Sequence, residues 1–249
     1  MRIIPRLDVK NEKVIKGINL EGLRVVGNPL SLAKKYYDEG ADELIYIDCV
    51  ASLYGQNNLA EITLKSTKNI FIPFCVGGGV RSLLDAEKLF KNGADKIAIN
   101  TAGIENTGLI EDLIKKFGSQ SIILSVQAKK MGLNSWRAYK NFGRDDSGKD
   151  VIDWILEASE LGVGEILLTS IDAEGLGEGF EIELYKKCTR LIKTPIIASG
   201  GFGKLEHIKK LKEETDIDAI TVSQAIHYNK FTLKEIKEYC IKNNIDVRN

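Results

Sequence analysis

A closed (β/α)8 barrel made of two similar halves is the fold this sequence predicts, and three observations predict it. Apolar runs of strand length alternate with amphipathic stretches of helix length along all 249 residues, and strands that run almost wholly apolar suit a parallel sheet covered on both faces. Short segments recur about half a chain apart, Pro73, Gly79 and Glu43 each by 122 positions. Pro73 and Gly77-Gly78-Gly79 return as Pro195 and Ser199-Gly200-Gly201, and Glu43 and Asp48 return as Glu165 and Asp172. The length also fits, because one such barrel takes about 250 residues. Length alone would allow two domains; the repeat argues for one closed domain spanning 1–249, with half-barrels at about 1–119 and 120–249.

The elements follow in order. Strands are expected near 2–9, 43–49, 71–76, 95–100, 121–127, 165–171, 195–200 and 218–223. Helical patterns occupy 29–40, 82–93, 108–118, 151–162, 181–192 and 205–215. The GADK at 93–96 and the GVGE at 162–165 read as glycine helix stops running into the next strand. The longest irregular stretches, about 10–28 and 129–150, follow strands one and five and so sit in equivalent places in the two halves.

Composition narrows the function. Thirty-five basic and 35 acidic side chains cancel, so no nucleic-acid or membrane-steering field is expected. Cys49, Cys75, Cys188 and Cys240 show no CxxC spacing and fit reduced, buried thiols in a cytoplasmic protein. The start, MRIIPRLDVK, reads as a charged strand without a signal-peptide core. No apolar run approaches the ~20 residues of a membrane span. With His207 and His227 as the two histidines and no ligand spacing around them, no metal and no cofactor are expected.

In such barrels the site lies at the C-terminal ends of the strands. Gly77-Gly78-Gly79 after strand three and Gly200-Gly201 after strand seven let backbone N–H groups approach an anion. Asn100-Thr101 and Ser223-Gln224 add small polar groups at the ends of strands four and eight. Two cradles on opposite sides of the mouth suggest a long substrate with two phosphate-like ends. Glycines at tight turns are common, and the symmetry of the pair is what raises the signal.

Asp8 ends strand one, and its counterpart at the end of strand five is Gln127. Two carboxylates could divide general acid and base work, but a glutamine amide can only hydrogen-bond and orient. The plain alternative for Asp8 is a structural carboxylate bonded to a neighbouring loop. At the opposite end, side-chain alternation turns Arg2 inward with Asp8, Lys96 with Asn100, and Glu165 with Thr169. Glu43 opens strand two where Glu165 opens strand six, so two cations and two anions are expected to converge on the axis. They either plug the floor or gate a small neutral molecule.

These residues resemble the cyclase subunit of imidazole glycerol phosphate synthase, and the resemblance runs from Arg2 to Arg248. RIIPxLDVK, DELIYID, VGGGVRS, GADKIAINTA, FGSQ, GEILLTSIDAEG and IIASGG carry it. It implies a lyase of histidine biosynthesis that needs no cofactor, pairs with a glutaminase subunit as a heterodimer, and receives its ammonia along the barrel axis. It assigns an ammonia gate to Arg2, Glu43, Lys96 and Glu165, and a docking contact to Asp95. Asp8 takes the first catalytic position and Lys16 lies on a mobile first loop. Contacts to a phosphorylated small-molecule substrate fall on Gly79, Asn100, Thr101, Gly175 and Gly201, with Thr169, Gly200 and Ser223 beside them.

The departures are specific. The second catalytic aspartate falls on Gln127, Arg6 replaces a small residue beside Asp8, a DGT loop has become Glu174-Gly175-Leu176, and Ser223-Gln224 replaces an Ala-Ser pair. This set looks like a paralogous branch paired with a glutaminase and a separate sugar amidotransferase in surface-glycan synthesis. The leading expectation is therefore an ammonia-channelling subunit with altered cyclase chemistry. An ordinary cyclase tolerating Gln127, and a non-catalytic scaffold that activates the glutaminase, are the alternatives.

Overall fold

The computed structural model describes residues 1–51 and 59–248. Its strands are β1 (Arg2–Lys10), β2 (Lys13–Ile18), β3 (Glu21–Gly27), β4 (Leu44–Asp48), β5 (Phe74–Gly77) and β6 (Lys96–Ile99) in the first half. The second half holds β7 (Ile122–Gly132), β8 (Ser135–Lys140), β9 (Asp145–Asp150), β10 (Glu165–Ser170), β11 (Ile196–Ser199) and β12 (Ala219–Val222). Eight of them pair in parallel in the order β1, β4, β5, β6, β7, β10, β11, β12, and β12 returns to β1. The barrel is closed, so its eight parallel strands leave no free edge among themselves.

Helices cover the outside of this ring. Pro29–Asp38, Leu83–Lys91 and Val151–Leu161 begin at Asn28, Ser82 and Asp150, whose side chains accept the free N–H groups of the first turn. The helix Leu59–Thr67 and the last helix, Leu233–Lys242, were not expected from the pattern; the second starts at a capping box of Thr232 and Glu235. Their apolar faces pack on the outward side chains of the strands in one cluster with Leu7, Val76, Leu124 and Leu168.

The stretches expected to be irregular, 10–28 and 129–150, are instead antiparallel extensions of the sheet. β2 and β3 fold back on β1, and β8 and β9 fold back on β7. Asn11 and Glu12 both adopt positive φ, 45° and 60°, so Lys10 and Lys13 are joined by a two-residue reversal. Asn-Glu lacks the glycine that usually marks such a turn, which is why the pattern hid it. Expected strand 71–76 begins later, at Phe74.

Side chains alternate across each strand, and the inward set forms a second apolar cluster. Ile4, Ile45, Cys75, Ala98, Ile123, Leu167, Ile197 and Ala219 contribute one residue from each of the eight strands. This packed interior separates a polar floor from a polar mouth. Leu167 is fully buried there, so Leu167→Ala should lose about 2–5 kcal/mol in denaturant unfolding. A loss below about 1 kcal/mol would mean the barrel interior is not packed as described.

Candidate functional site

At the N-terminal end of the strands, four charges close into a ring around the axis. Arg2 Nη1 donates to Glu43 Oε2 at 2.8 Å, and Arg2 Nη2 donates to Glu165. Lys96 Nζ donates to Glu43 Oε2 at 3.0 Å and to Glu165 Oε2 at 2.7 Å. Each cation therefore touches both anions, and the ring is neutral. Burial pushes the Glu43 carboxyl up; Lys96 pulls it back, and the like charge of Glu165 adds to the rise. Glu43 Oε1 is buried without a hydrogen-bond partner. Burial works against the charge of Lys96, but Glu43 and Glu165 outweigh it and hold its pKa above the usual lysine value. Asp95 lies on the same end, where its carboxylate accepts the N–H of Phe74 at 2.8 Å beside the exposed ring of Phe71.

At the mouth a second neutral quartet is buried. Arg6 Nε donates to Asp8 Oδ1 at 2.9 Å, and its Nη1 reaches Thr169 Oγ1 at 3.0 Å and Ser199 Oγ at 3.1 Å. Thr221 supports Ser199 at 2.8 Å, and Ser223 Oγ donates to the Arg6 carbonyl at 2.9 Å. Lys16 Nζ donates to Glu174 and stands 3.9 Å from Asp8 Oδ2. All four charged side chains are nearly inaccessible, with Arg6 2% and Asp8 3% exposed. Burial would raise the Glu174 carboxyl, but Lys16 and Arg6 more than offset it and hold its pKa below the usual value. Burial also opposes the Arg6 charge, and Asp8 and Glu174 override it, so its pKa is raised. Cys49 beside them is pushed well up by burial and the Asp8 carboxylate, which keeps the thiol neutral. His227 is buried with Nδ1 2.7 Å from the Tyr36 hydroxyl, and burial followed by Lys16 lowers its pKa to about 3.

The two glycine cradles have matching backbones and unequal surroundings. Gly78 and Gly200 both sit at φ 96°, followed by Gly79 at 73° and Gly201 at 97°. The first cradle opens on a cavity of ≈ 220 Å³ that Asn100, Thr101, Gln127 and Arg81 also line. Asn100 Nδ2 donates to Gln127 Oε1 at 3.0 Å and to the Tyr139 carbonyl at 3.1 Å, while Asn100 Oδ1 is buried without a partner. The second cradle, with Gly175, Gly200, Gly201 and Ser223, encloses ≈ 10 Å³. Glu174 fills it from the side: a Cβ on Gly200 would stand 3.2 Å from Glu174 Oε2, and one on Gly201 would strike Gly179 O at 1.9 Å. The β2–β3 hairpin closes over this half through Asn19 N–H to the Glu174 carbonyl at 2.7 Å.

The site residues expected from the sequence thus divide into three groups. Arg2, Glu43, Lys96 and Glu165 meet at the floor. Gly79, Asn100, Thr101 and Gln127 share the open cavity. Lys16, Thr169, Gly175, Gly200, Gly201 and Ser223 lie around Arg6 and Glu174, so the two cradles have matching glycines and unequal charged surroundings. Lys16, expected on a mobile loop facing substrate, is a buried strand residue held by Glu174. Arg6 and Glu174 are departures from the family pattern that the structure brings into the site; the sequence signals are a long cation in place of a small residue beside Asp8 and a lengthened acid in the 174–176 loop.

Among the described residues no group of three or more His, Cys, Asp or Glu side chains could hold a metal, and no helix is long and apolar enough to cross a membrane. Comparison with known proteins matches residues 2–232 to the family model described as histidine biosynthesis protein. A relative from Legionella pneumophila, named imidazole glycerol phosphate synthase subunit HisF, is 54% identical over 206 residues, 83% of this chain and 97% of that protein. Relatives of the same name from Bacillus cereus (strain Q1) and Dehalococcoides mccartyi are each 40% identical over 247 residues, 99% of this chain. They are covered to 98% and 97% of their own lengths.

Two outcomes test this geometry. Lys96→Met leaves the floor anions with Arg2 alone, and breaking such a ring should cost about 3 kcal/mol in urea unfolding; no loss would mean the ring contributes nothing. Because Glu174 has a lowered pKa in the folded chain, its stabilisation is complete above the unfolded value of 4.5 and is lost as pH falls through the lower folded value. Glu174→Gln should therefore melt well below the parent at pH 7, with the gap narrowing below pH 4.5. A gap constant down to pH 3 would contradict the pairing.

Proposed function

This chain belongs to the histidine biosynthesis protein family, within it to the HisF subunits of imidazole glycerol phosphate synthase, and from that membership we propose that it is an ammonia-using synthase subunit. A glutaminase partner docked at the floor, with Asp95 in the contact, releases ammonia. The floor ring of Arg2, Glu43, Lys96 and Glu165 admits the neutral molecule, which passes along the barrel axis to an acceptor at the mouth. The single observation that carries this reading is the ring itself. Two cations and two anions balance on the axis at one end of an apolar interior. A ring of ion pairs that only sealed the barrel would serve as well or better as hydrophobic residues of similar volume. Charges that can part and re-pair suit a gate.

The names of the relatives favour imidazole glycerol phosphate formation as the reaction, ahead of the sugar amidation suggested by the sequence departures. In that first reading the chain is a cyclase, and Asp8 works as the acid–base group with Gln127 orienting the substrate. The buried mouth quartet favours a second reading. Arg6 holds Asp8 in a hydrogen bond, and Gln127 cannot transfer a proton in a carboxylate's place. There the acceptor is a different molecule, with a sugar amidotransferase of surface-glycan synthesis as the third protein. A cytoplasmic location goes with both readings and is supported by the four buried free thiols.

One assay separates the readings. The purified chain is given the phosphoribulosyl substrate and saturating ammonia, so no partner is needed. Loss of a general acid or base typically costs ~10²–10⁴ in rate, and turnover lower by about that factor than that of the Bacillus cereus subunit is expected, with partial recovery in Arg6→Cys/Gln127→Asp. Equal turnover would leave the cyclase reading alone standing. For the conduit, Cys75→Phe places a ring in the interior next to Lys96 in register. It should uncouple glutamine hydrolysis from product formation while product from added ammonia persists; unchanged coupling would defeat the conduit.

A further inference from the structure

We propose that Lys237 and Asp42 are positioning residues for the floor ring, bracing Arg2 and Glu43 from the last helix and so setting how readily the ring opens. The proposal rests on the gate reading of that ring and names the part of the chain that governs it. β1 and β4 share their first rung at Arg6 and Ile45, so the N–H of Ile3 lies below the ladder on that side. Asp42 Oδ2 accepts it at 2.7 Å, and the Asp42 N–H returns to the Ile3 carbonyl at 3.3 Å. Arg2 precedes Ile3 and Glu43 follows Asp42, so this bracket fixes two ring members against each other. Asp42 is 5% exposed, and a buried carboxylate needs a counter-charge. Lys237, from the helix Leu233–Lys242, supplies it: Nζ donates to Asp42 Oδ1 at 2.8 Å and to the Arg248 carbonyl at 2.7 Å. The same tail bonds Met1 through the Asp246 carbonyl, and the Leu233 N–H donates to Glu39 Oε2 at 3.1 Å. One lysine thus ties the last helix and the tail to the ring.

The other half of the ring has no such support. Asp95, before Lys96, accepts the Phe74 N–H at 2.8 Å in a bracket of the same kind, but it is exposed and enters no ion pair among the described residues. Glu165 follows Gly164, where a Cβ would strike the Ser119 carbonyl oxygen at 2.3 Å. Close packing therefore excludes a bracketing side chain there, and the Glu165 carboxylate is held by Arg2 and Lys96 alone among the described residues. Parting the ring means breaking charge-assisted bonds, which are stronger than neutral ones. A braced Arg2 and Glu43 return to the same place after each opening, while an unbraced pair would drift and leave the passage ajar. A lysine that merely fastened the tail would affect the stability of the whole fold. One that positions the ring affects entry at the floor in particular.

Cys75 reports that entry. It is fully buried, stands in register with Lys96 just inside the ring, and burial pushes its thiol well up with Glu43 adding to the rise. The purified chain is treated with methyl methanethiosulfonate, a small neutral reagent. The thiolate takes its methylthio group as a disulfide, methanesulfinate leaves, and mass spectrometry of the peptides times each cysteine separately. In Lys237→Met, modification of Cys75 should be about tenfold faster or more, the order expected for losing a charge-assisted bond. Cys49 at the mouth and Cys188 in the helix Ile182–Leu191 should keep their rates. Lys237→Arg should restore the parent rate. Asp42→Asn should itself speed Cys75 by about threefold or more. Asp42→Asn/Lys237→Met should be no faster than Lys237→Met, because the lysine acts through that carboxylate. If Lys237→Met does not fold, Asp42→Asn carries the test. An unchanged Cys75 rate in the variant that folds, or equal acceleration at Cys49 and Cys188, would overturn the proposal. The assay holds no glutaminase and no ammonia. Its failure leaves the conduit standing, and failure of the conduit assay leaves the brace standing.

Discussion

Four charges buried at the mouth constrain everything above the barrel interior. Arg6, Lys16, Asp8 and Glu174 are each almost fully removed from water, and taking an ion into such a place costs several kcal/mol unless it is paired. Their positions are tolerable because they neutralise one another within one cluster. That requirement has structural consequences. Lys16 must come down from β2, so the hairpin lies against the Glu174 loop; Thr169, Ser199 and Thr221 must spend their hydroxyls holding Arg6 and each other. Half of the mouth is thereby committed to internal bonds.

The floor solves the same electrostatic problem with a different geometry. Its ring is made of residues that open their strands or, for Glu43, immediately precede one, and it is more accessible, with Arg2 about one-third exposed. Partial exposure lowers the cost of separating the pairs, which a gate needs and a fixed mouth cluster does not. Between the two quartets lies an interior of apolar side chains including the small residues Cys75, Ala98 and Ala219. A neutral molecule crosses such a region at far lower cost than an ion. Symmetry of backbone and asymmetry of charge together give the barrel a ring of ion pairs at its floor and a buried charged cluster in one half of its mouth.

Much of this was legible in the sequence, and the misses have physical causes. The strands and the inward parity of Arg2, Lys96 and Glu165 followed from alternation, because period two leaves no choice once one inward residue is known. The floor ring followed from the same rule. The first hairpin was hidden because Asn11 and Glu12 take positive φ without glycine. The pairing of Lys16 with Glu174 was hidden because it is a contact across more than 150 residues. Periodicity reads faces within an element; it does not report which loops from separate halves meet. Gln127 was visible as an altered position, but its bond to Asn100 depends on rotamers that spacing does not specify.

The hold of Arg6 on Asp8 is the point at which these conclusions meet. A double-mutant cycle with Arg6→Met and Asp8→Asn, read by equilibrium unfolding at pH 7, measures that hold free of the other contacts. Contacting charged residues in one network couple by about 0.5–3 kcal/mol, and a favourable coupling in the upper part of that range is expected. A coupling near zero would mean that the guanidinium does not hold Asp8.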